Sequence, residues 1–183
     1  KHELRYGAEF YANDVESEAY REHVRTGEIT YRTTRYPGGG STMNTSAVYL
    51  SHTLEINEHW VISEGLRFTN VELEATFADT NAFQFLNGTY TQNNRALTWR
   101  VGIMYMPGRD WRVSLLGSTG FRAPNVDDMG KVFDGVPGSV LVPNPDLKPE
   151  TTTNFEMAIS KTFDKRITAD LNAFYTLYNN ALT

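Results

Sequence analysis

LTWRVGIMYMPGRDWRVSLLGSTGFR, residues 97–122, sets two alternating stretches on either side of a tight connection. Over residues 97–105 every odd position is bulky and apolar, and the even positions are polar or small apart from Met104. Trp111, Val113 and Leu115 then alternate with Arg112, Ser114 and Leu116. A period of two sends successive side chains to opposite faces of a strand. Each stretch therefore reads as a strand with one apolar face and one mixed face. Pro107, Gly108, Arg109 and Asp110 leave room only for a short turn, which makes the two strands antiparallel neighbours.

The pattern recurs along the chain. Residues 167–177 follow it with Phe174 as the exception, and Phe155, Met157 and Ile159 alternate with Asn154, Glu156, Ala158 and Ser160. Earlier apolar faces are Leu4-Tyr6-Ala8-Phe10, Val48-Leu50-Leu54-Ile56 and Trp60-Ile62-Leu66-Phe68, the last two interrupted by His52 and Glu64. Strands are thus expected near 3–11, 46–56, 59–69, 96–106, 111–121, 152–163 and 166–177. Val71, Leu73, Ala75 and Phe77 would prolong the third strand, but on the opposite face from Trp60 to Phe68, so either a bulge intervenes or the stretch is loop. A short helical turn is expected over residues 16–24, and Pro37-Gly38-Gly39-Gly40 is a turn.

The connections alternate in length. Asn57-Glu58, residues 107–110 and Asp164-Lys165 are short, whereas 12–45, 70–95 and 122–151 are long. Long loops gathered at one end and short turns at the other are the pattern of an outer-membrane barrel. Trp60, Tyr105, Trp111 and Phe163 stand beside the short turns, and Phe10, Phe68, Phe121, Phe155 and Tyr175 beside the long loops. Two such belts suit two membrane interfaces. The expected fold is all-β: a segment of an antiparallel up-and-down transmembrane β-barrel, about seven strands, with short periplasmic turns and long extracellular loops. The alternative is a soluble extracellular β-sandwich acting as a binding or adhesion module, with Leu97, Val101 and Leu171 inside a closed core. A third is a different outer-membrane barrel, an enzyme or an adhesin.

Composition narrows the function. The chain has 183 residues, 40% hydrophobic and 21% charged, with net charge −5 and no cysteine. That balance offers no basic face for nucleic acid. No stretch approaches the roughly 18 apolar residues of a membrane-spanning helix. The mean hydropathy of −0.45 matches a soluble protein, but a barrel that alternates lipid-facing and lumen-facing residues averages out the same way.

Gly120-Phe121-Arg122-Ala123-Pro124-Asn125, followed by Pro143-Asn144-Pro145-Asp146-Leu147-Lys148-Pro149-Glu150 and Asn154-x-Glu156, closely resembles the TonB-dependent outer-membrane receptors. His2-x-Leu4-x-Tyr6-Gly7-x-Glu9 resembles an earlier barrel strand of the same family. The resemblance implies a Gram-negative outer-membrane receptor that takes up an iron-siderophore or other large cargo. Its partners would be membrane lipid, a plug domain and a TonB-type energy-coupling protein. The family barrel has about 22 strands around a plug, so residues 1–183 are expected to be a later, partial β-barrel domain with the plug and remaining strands absent. Paired boxes of this kind occur in haem receptors of the family with a histidine between them. Residues 125–143 contain none, which disfavours haem and leaves His23 in the first long loop as a weak substitute.

Pro124, Pro143, Pro145 and Pro149 lack a backbone donor and mark where sheet pairing stops. The residues between them supply the ligand-loop candidates Arg122, Asn125, Asp127, Asp128, Asp134, Asn144 and Asp146. Parity supplies the lumen-facing candidates Arg100, Arg112, Asn154 and Glu156. Arg122 shares that parity and is expected to pair with a carboxylate of the barrel or plug. The loop aspartates lack the spacing of a calcium loop, and His2, His23, His52 and His59 lack paired metal-ligand spacing. No cofactor and no catalytic residue is expected.

Overall fold

The computed structural model describes residues 1–32, 34, 36–78, 87–130 and 144–181. Seven strands form one antiparallel sheet: β1 (His2–Val15), β4 (Ser41–Glu55), β5 (Trp60–Phe77), β6 (Gly88–Gly108), β7 (Trp111–Arg122), β8 (Glu150–Phe163) and β9 (Ile167–Asn179). The order is β1-β4-β5-β6-β7-β8-β9, so chain neighbours in the sheet are spatial neighbours and β1 and β9 are its edges. The sheet is a barrel wall that does not close on itself. A separate hairpin, β2 (Ala19–Glu22) and β3 (Ile29–Arg32), occupies the first long connection. This corrects the helical turn expected over residues 16–24. Tyr20 pairs with Tyr31 and Glu22 with Ile29, and cross-strand partners of this kind favour a ladder over a helical turn.

The register fixes which side chains share a face. Val48 pairs with Phe68, and Phe68 with Leu97; Ile103 pairs with Leu115, Leu115 with Met157, and Ile159 with Leu171. These apolar residues line one face. Leu97 is 65% exposed, Val101 43% and Leu171 68%. The soluble sandwich required all three in a closed core, so it does not fit. At the lower edge Trp60 stacks on Tyr105 with centroids 4.3 Å apart, and the Lys161 ammonium lies 4.1 Å from the Trp111 ring centroid. From Trp60 to Phe68 a tilted strand climbs roughly 20 Å, close to the ~25 Å apolar band of an outer-membrane barrel.

The other face is polar across the same height. Arg67 donates to Glu9 at 2.6 Å and lies over the Tyr49 ring, while Thr176 donates to Asn154 at 2.6 Å. Gly7 makes room for Tyr49, whose hydroxyl oxygen would stand 2.5 Å from any added Cβ.

Above Phe68 the polarity of the two faces exchanges. The stretch expected as a bulge or a loop is uninterrupted strand: β5 pairs residue by residue with β4 as far as Ala75 and with β6 as far as Phe77. Val71, Leu73, Ala75 and Phe77 are buried on the inner face, whereas Leu66 and Phe68 are exposed on the outer one. The outer face here carries Asn70, Glu72, Asn93 and Arg95, joined by hydrogen bonds of 3.0–3.3 Å. Below the exchange the outer face is apolar and the inner face polar; above it the outer face is polar and the apolar inner face is covered by chain folded over it.

This exchange sets opposite tolerances on one face of β6. Val101→Lys is expected to destabilise the barrel refolded in lipid vesicles by about 2–4 kcal/mol, the midplane cost of a lipid-facing lysine. Asn93→Lys, on the same face above the band, is expected to stay within about 0.5 kcal/mol. Urea unfolding of both variants measures the difference.

Candidate functional site

The described limbs of the long connection after β7, residues 123–130 and 144–149, are built onto the wall. Arg122 ends β7 opposite Glu150, the first residue of β8. Its guanidinium donates from Nη1 to Glu150 Oε2 at 2.8 Å and from Nη2 to Asp128 Oδ2 at 2.6 Å. One arginine thus joins the strand that leaves the sheet, the strand that returns and the loop between them. Both bonds raise its pKa, so it stays cationic, Glu150 being the stronger influence and Asp128 the next. The carboxylate of Glu150 also engages Tyr178 on β9, whose phenol is pushed above its ordinary range chiefly by that hydrogen bond.

Asn125 begins a single helical turn, α1 (Val126–Gly130). Its side-chain oxygen accepts from the Asp128 backbone N–H at 2.8 Å, and Asp128 Oδ2 accepts from the Asn125 backbone N–H at 3.0 Å. This reciprocal pair is a capping box, which satisfies amides that a helix start leaves open. Ala123 and Pro124 before it are buried. α1 directs Val126 and Met129 onto Leu73, Ala75 and Phe77, with Tyr36, Met43 and Tyr90 around the rim. Met129 is 1% exposed. The apolar inner face of β5 is therefore what the FRAPN phrase folds against.

The returning limb is held by a second device. Gln92 on β6 donates from Nε2 to the carbonyls of Pro145 and Leu147 at 3.1 and 2.7 Å. A proline phrase has few backbone donors, and here its carbonyls serve as the attachment points instead. Asn144 donates its backbone N–H to the Met129 carbonyl at 2.9 Å and caps the next turn by accepting from the Asp146 backbone N–H at 3.0 Å. Asn180 donates to the Pro149 carbonyl at 3.3 Å. The first long connection joins from the other side: the Gly39 N–H donates to Thr76 O, and the Thr76 N–H to Gly40 O, both at 2.9 Å. A Cβ on Gly39 would lie 2.7 Å from that Thr76 oxygen, so only glycine permits the approach.

Several expected site residues meet here. Arg122, Asn125 and Asp128 form one bonded cluster, and Asp127 adjoins it on α1. Asn144 and Asp146 stand exposed on the returning limb. Asp134 lies outside the described residues. Arg100, Arg112, Asn154 and Glu156 fall on the polar inner face, away from the loop, with Asn154 hydrogen-bonded to Glu156. Gln92, Met129, Leu73, Phe77 and Tyr178 were not expected as parts of the site. The parity switch after Phe68 was the available signal for Leu73 and Phe77; nothing local marks Gln92 or Tyr178. Among the described residues no group of three or more His, Asp or Glu side chains is arranged to hold a metal.

An antiparallel wall with an apolar outer band, a polar interior and its long loops at one end is part of an outer-membrane β-barrel. The chain belongs to the TonB-dependent receptors: the family model described as TonB dependent receptor-like, beta-barrel, matches residues 1–183. It is 38% identical over 77 residues to the iron-regulated outer membrane virulence protein of Vibrio cholerae, covering 40% of this chain and 11% of that protein. It is 34% identical over 76 residues to the vitamin B12 transporter BtuB of Photobacterium profundum, covering 42% of this chain and 11% of that one. In fold it resembles the Serratia marcescens hemophore receptor HasR, solved with its hemophore HasA and heme, at a TM-score of 0.71 and 15% identity, over 98% of this chain and 31% of that one. The chain thus spans only a fraction of its relatives' length.

The methionine is the weight-bearing contact of α1. Met129→Ala is expected to lower the local opening free energy of residues 126–130 by about 2–5 kcal/mol, the usual cost of emptying a buried methionine site. Protection of the β7–β8 ladder should not change. Amide hydrogen exchange on the receptor reads both.

Proposed function

We propose that residues 1–183 are a partial barrel domain of an energy-coupled receptor that imports a scarce nutrient, an iron-siderophore or another cargo too large for a porin. The remaining strands and a plug domain belong to the same receptor, and a TonB-type protein supplies the energy. The role is transport and capture rather than catalysis. Relatives named for iron regulation, vitamin B12 and heme support the class of import and leave the cargo open.

The observation that carries this reading is the anchoring of the connection after β7. Arg122, Met129 and Gln92 clamp its two limbs over the inner face, leaving Asn144 and Asp146 exposed above the polar interior. A loop tethered at both ends presents polar groups in a fixed place, which lowers the ordering cost of binding. In this reading residues 122–151 line part of the extracellular vestibule, with Arg122, Asn125, Asp127, Asp128, Asn144 and Asp146 as its polar groups and Asp134 on the same connection. Arg100, Arg112, Asn154 and Glu156 line the route below. The missing histidine between the two boxes counts against haem as the cargo.

Replacing residues 125–146 of the intact receptor by a short Gly-Ser linker tests the loop. Uptake and cell binding are measured with radio-iron siderophores, haem and cobalamin. Binding of the accepted cargo is expected to weaken at least about tenfold, equivalent to ~1.4 kcal/mol. Unchanged affinity for an accepted cargo would remove the loop from the ligand site.

A further inference from the structure

The arginines of the inner face have carboxylates of the same wall beside them, with one exception. Arg5 pairs with Glu3, Arg67 with Glu9, and Arg122 with Glu150 and Asp128. Arg112 lines a recess at the lower edge with Glu58 and Asp110, and Asp170 stands in its cross-sheet row beyond Ser160. The exception is Arg100. Its cross-strand partners are Gly65 and Ser118, and Thr98 and Gly102 lie above and below it on its own strand. Diagonally it adjoins Ser63, Arg67 and Leu116. None of these is acidic, and among the described residues no side chain bonds the Arg100 guanidinium.

These small neighbours leave a recess of about 450 Å³ in the wall, bordered by Tyr49, Ser51, Gly65, Arg67, Arg100 and Ser118. The one carboxylate that lines it, Glu9, is taken by Arg67. Gly65 seats the arginine. A Cβ there would stand 3.1 Å from Arg100 Cγ and 3.6 Å from its Cδ, so the stem lies across the glycine. The stem thus has a fixed bed while the residue as a whole is exposed. A guanidinium is a rigid fork of donors that matches the paired oxygens of a carboxylate or phosphate. The row Ser51-Gly65-Arg100-Ser118 adds one hydroxyl donor to either side of it. Eight positions further up β6, Gln92 holds the returning limb of the connection after β7. The recess therefore lies roughly 25 Å below that cover, at the strand rise per residue.

We propose that Arg100 is an oxyanion station on the inner wall. It takes a carboxylate or phosphate group of the imported molecule as that molecule leaves the vestibule for the interior, which makes the cargo anionic. The inference rests on the import reading and adds to it the charge class of the cargo. An oxyanion in this recess meets a bidentate donor whose charge no neighbour has neutralised. The bed on Gly65 lowers the cost of ordering the side chain for that contact. The site is also open, and a group in transit must be held weakly enough to leave again.

Arginine labelling with phenylglyoxal, read residue by residue by mass spectrometry on the intact purified receptor, tests the site whatever the cargo is. Citrate and inorganic phosphate are the probes, with sodium chloride at matched ionic strength as the control for screening. Arg100 is expected to label in the folded receptor and to be protected saturably. Its labelling rate should fall about tenfold at ten times the half-protecting concentration, while Arg95 on the outer face gains no protection. Protection by citrate alone assigns a carboxylate, and by phosphate alone a phosphate. Arg100→Gln removes the charge and is expected to slow uptake of an accepted radiolabelled cargo about tenfold, the scale of one hydrogen bond to a charged group, with binding to the cell surface retained. Three results would each overturn the proposal: Arg100 unlabelled until the receptor is unfolded, and so already held by another part of it; equal labelling in citrate, phosphate and chloride; or undiminished uptake in Arg100→Gln. A protected Arg100 in a receptor that imports none of the radio-iron siderophores, haem or cobalamin would leave the oxyanion site standing and count against the import reading.

Discussion

β5 changes solvent partway along its length without interrupting its hydrogen bonds, and the other features of the wall are arranged around that change. Inside a bilayer the backbone has no water to bond, so each strand must be paired on both sides. The ladder therefore runs on regularly through Phe68 to Phe77 while the face exposed to the apolar phase switches. Below the switch the outer side chains are Trp60, Ile62, Leu66 and Phe68; above it the inner ones are Val71, Leu73, Ala75 and Phe77. β4 and β6 follow, with Met43 and Tyr90 inside the rim at the same height. A strand that leaves hydrocarbon for water must find another apolar cover, and the chain supplies it from its own loops.

That need explains the form of the connection after β7. Its prolines end sheet pairing, its asparagine starts one helical turn, and the turn is just long enough to place Val126 and Met129 on β5. Arg122 then does electrostatically what the methionine does by packing: it ties β7, β8 and α1 at one point. The pair with Glu150 is partly exposed, so its value is geometric as much as energetic. A membrane receptor needs loops that reach beyond the bilayer and yet present defined surfaces. Here the definition comes from the wall itself.

Much of this was legible in the residue order. The seven main strands were expected in place and in order, because period two and tight turns are local signals. But β5 runs on to Phe77 and β6 begins at Gly88, so much of the expected loop 70–95 is strand. The errors share one cause. Residues 16–24 were read as helical although their cross-strand partners, residues 29–32, decide for a hairpin. Residues 71–77 were read as an irregularity because a parity switch on one strand has two local explanations, a bulge or a change of surroundings. Only the regular pairing to Ala75 on β4 and Phe77 on β6 separates them. Gln92 was invisible as a site residue, since its role depends on two carbonyls more than fifty positions away.

What the sequence by itself determined was the wall: which residues are strands, which turns are short, where proline stops pairing, and that one face of each strand is apolar. These follow from side-chain alternation and φ restriction, which act between adjacent residues. What only the tertiary structure decided was what each apolar face meets. Leu66 faces the lipid side and Leu73 is buried under α1, though both are leucines on one strand. The difference lies in a helix that folds back across the sheet from some fifty residues further along, and burial is a property of that distant cover rather than of the leucine.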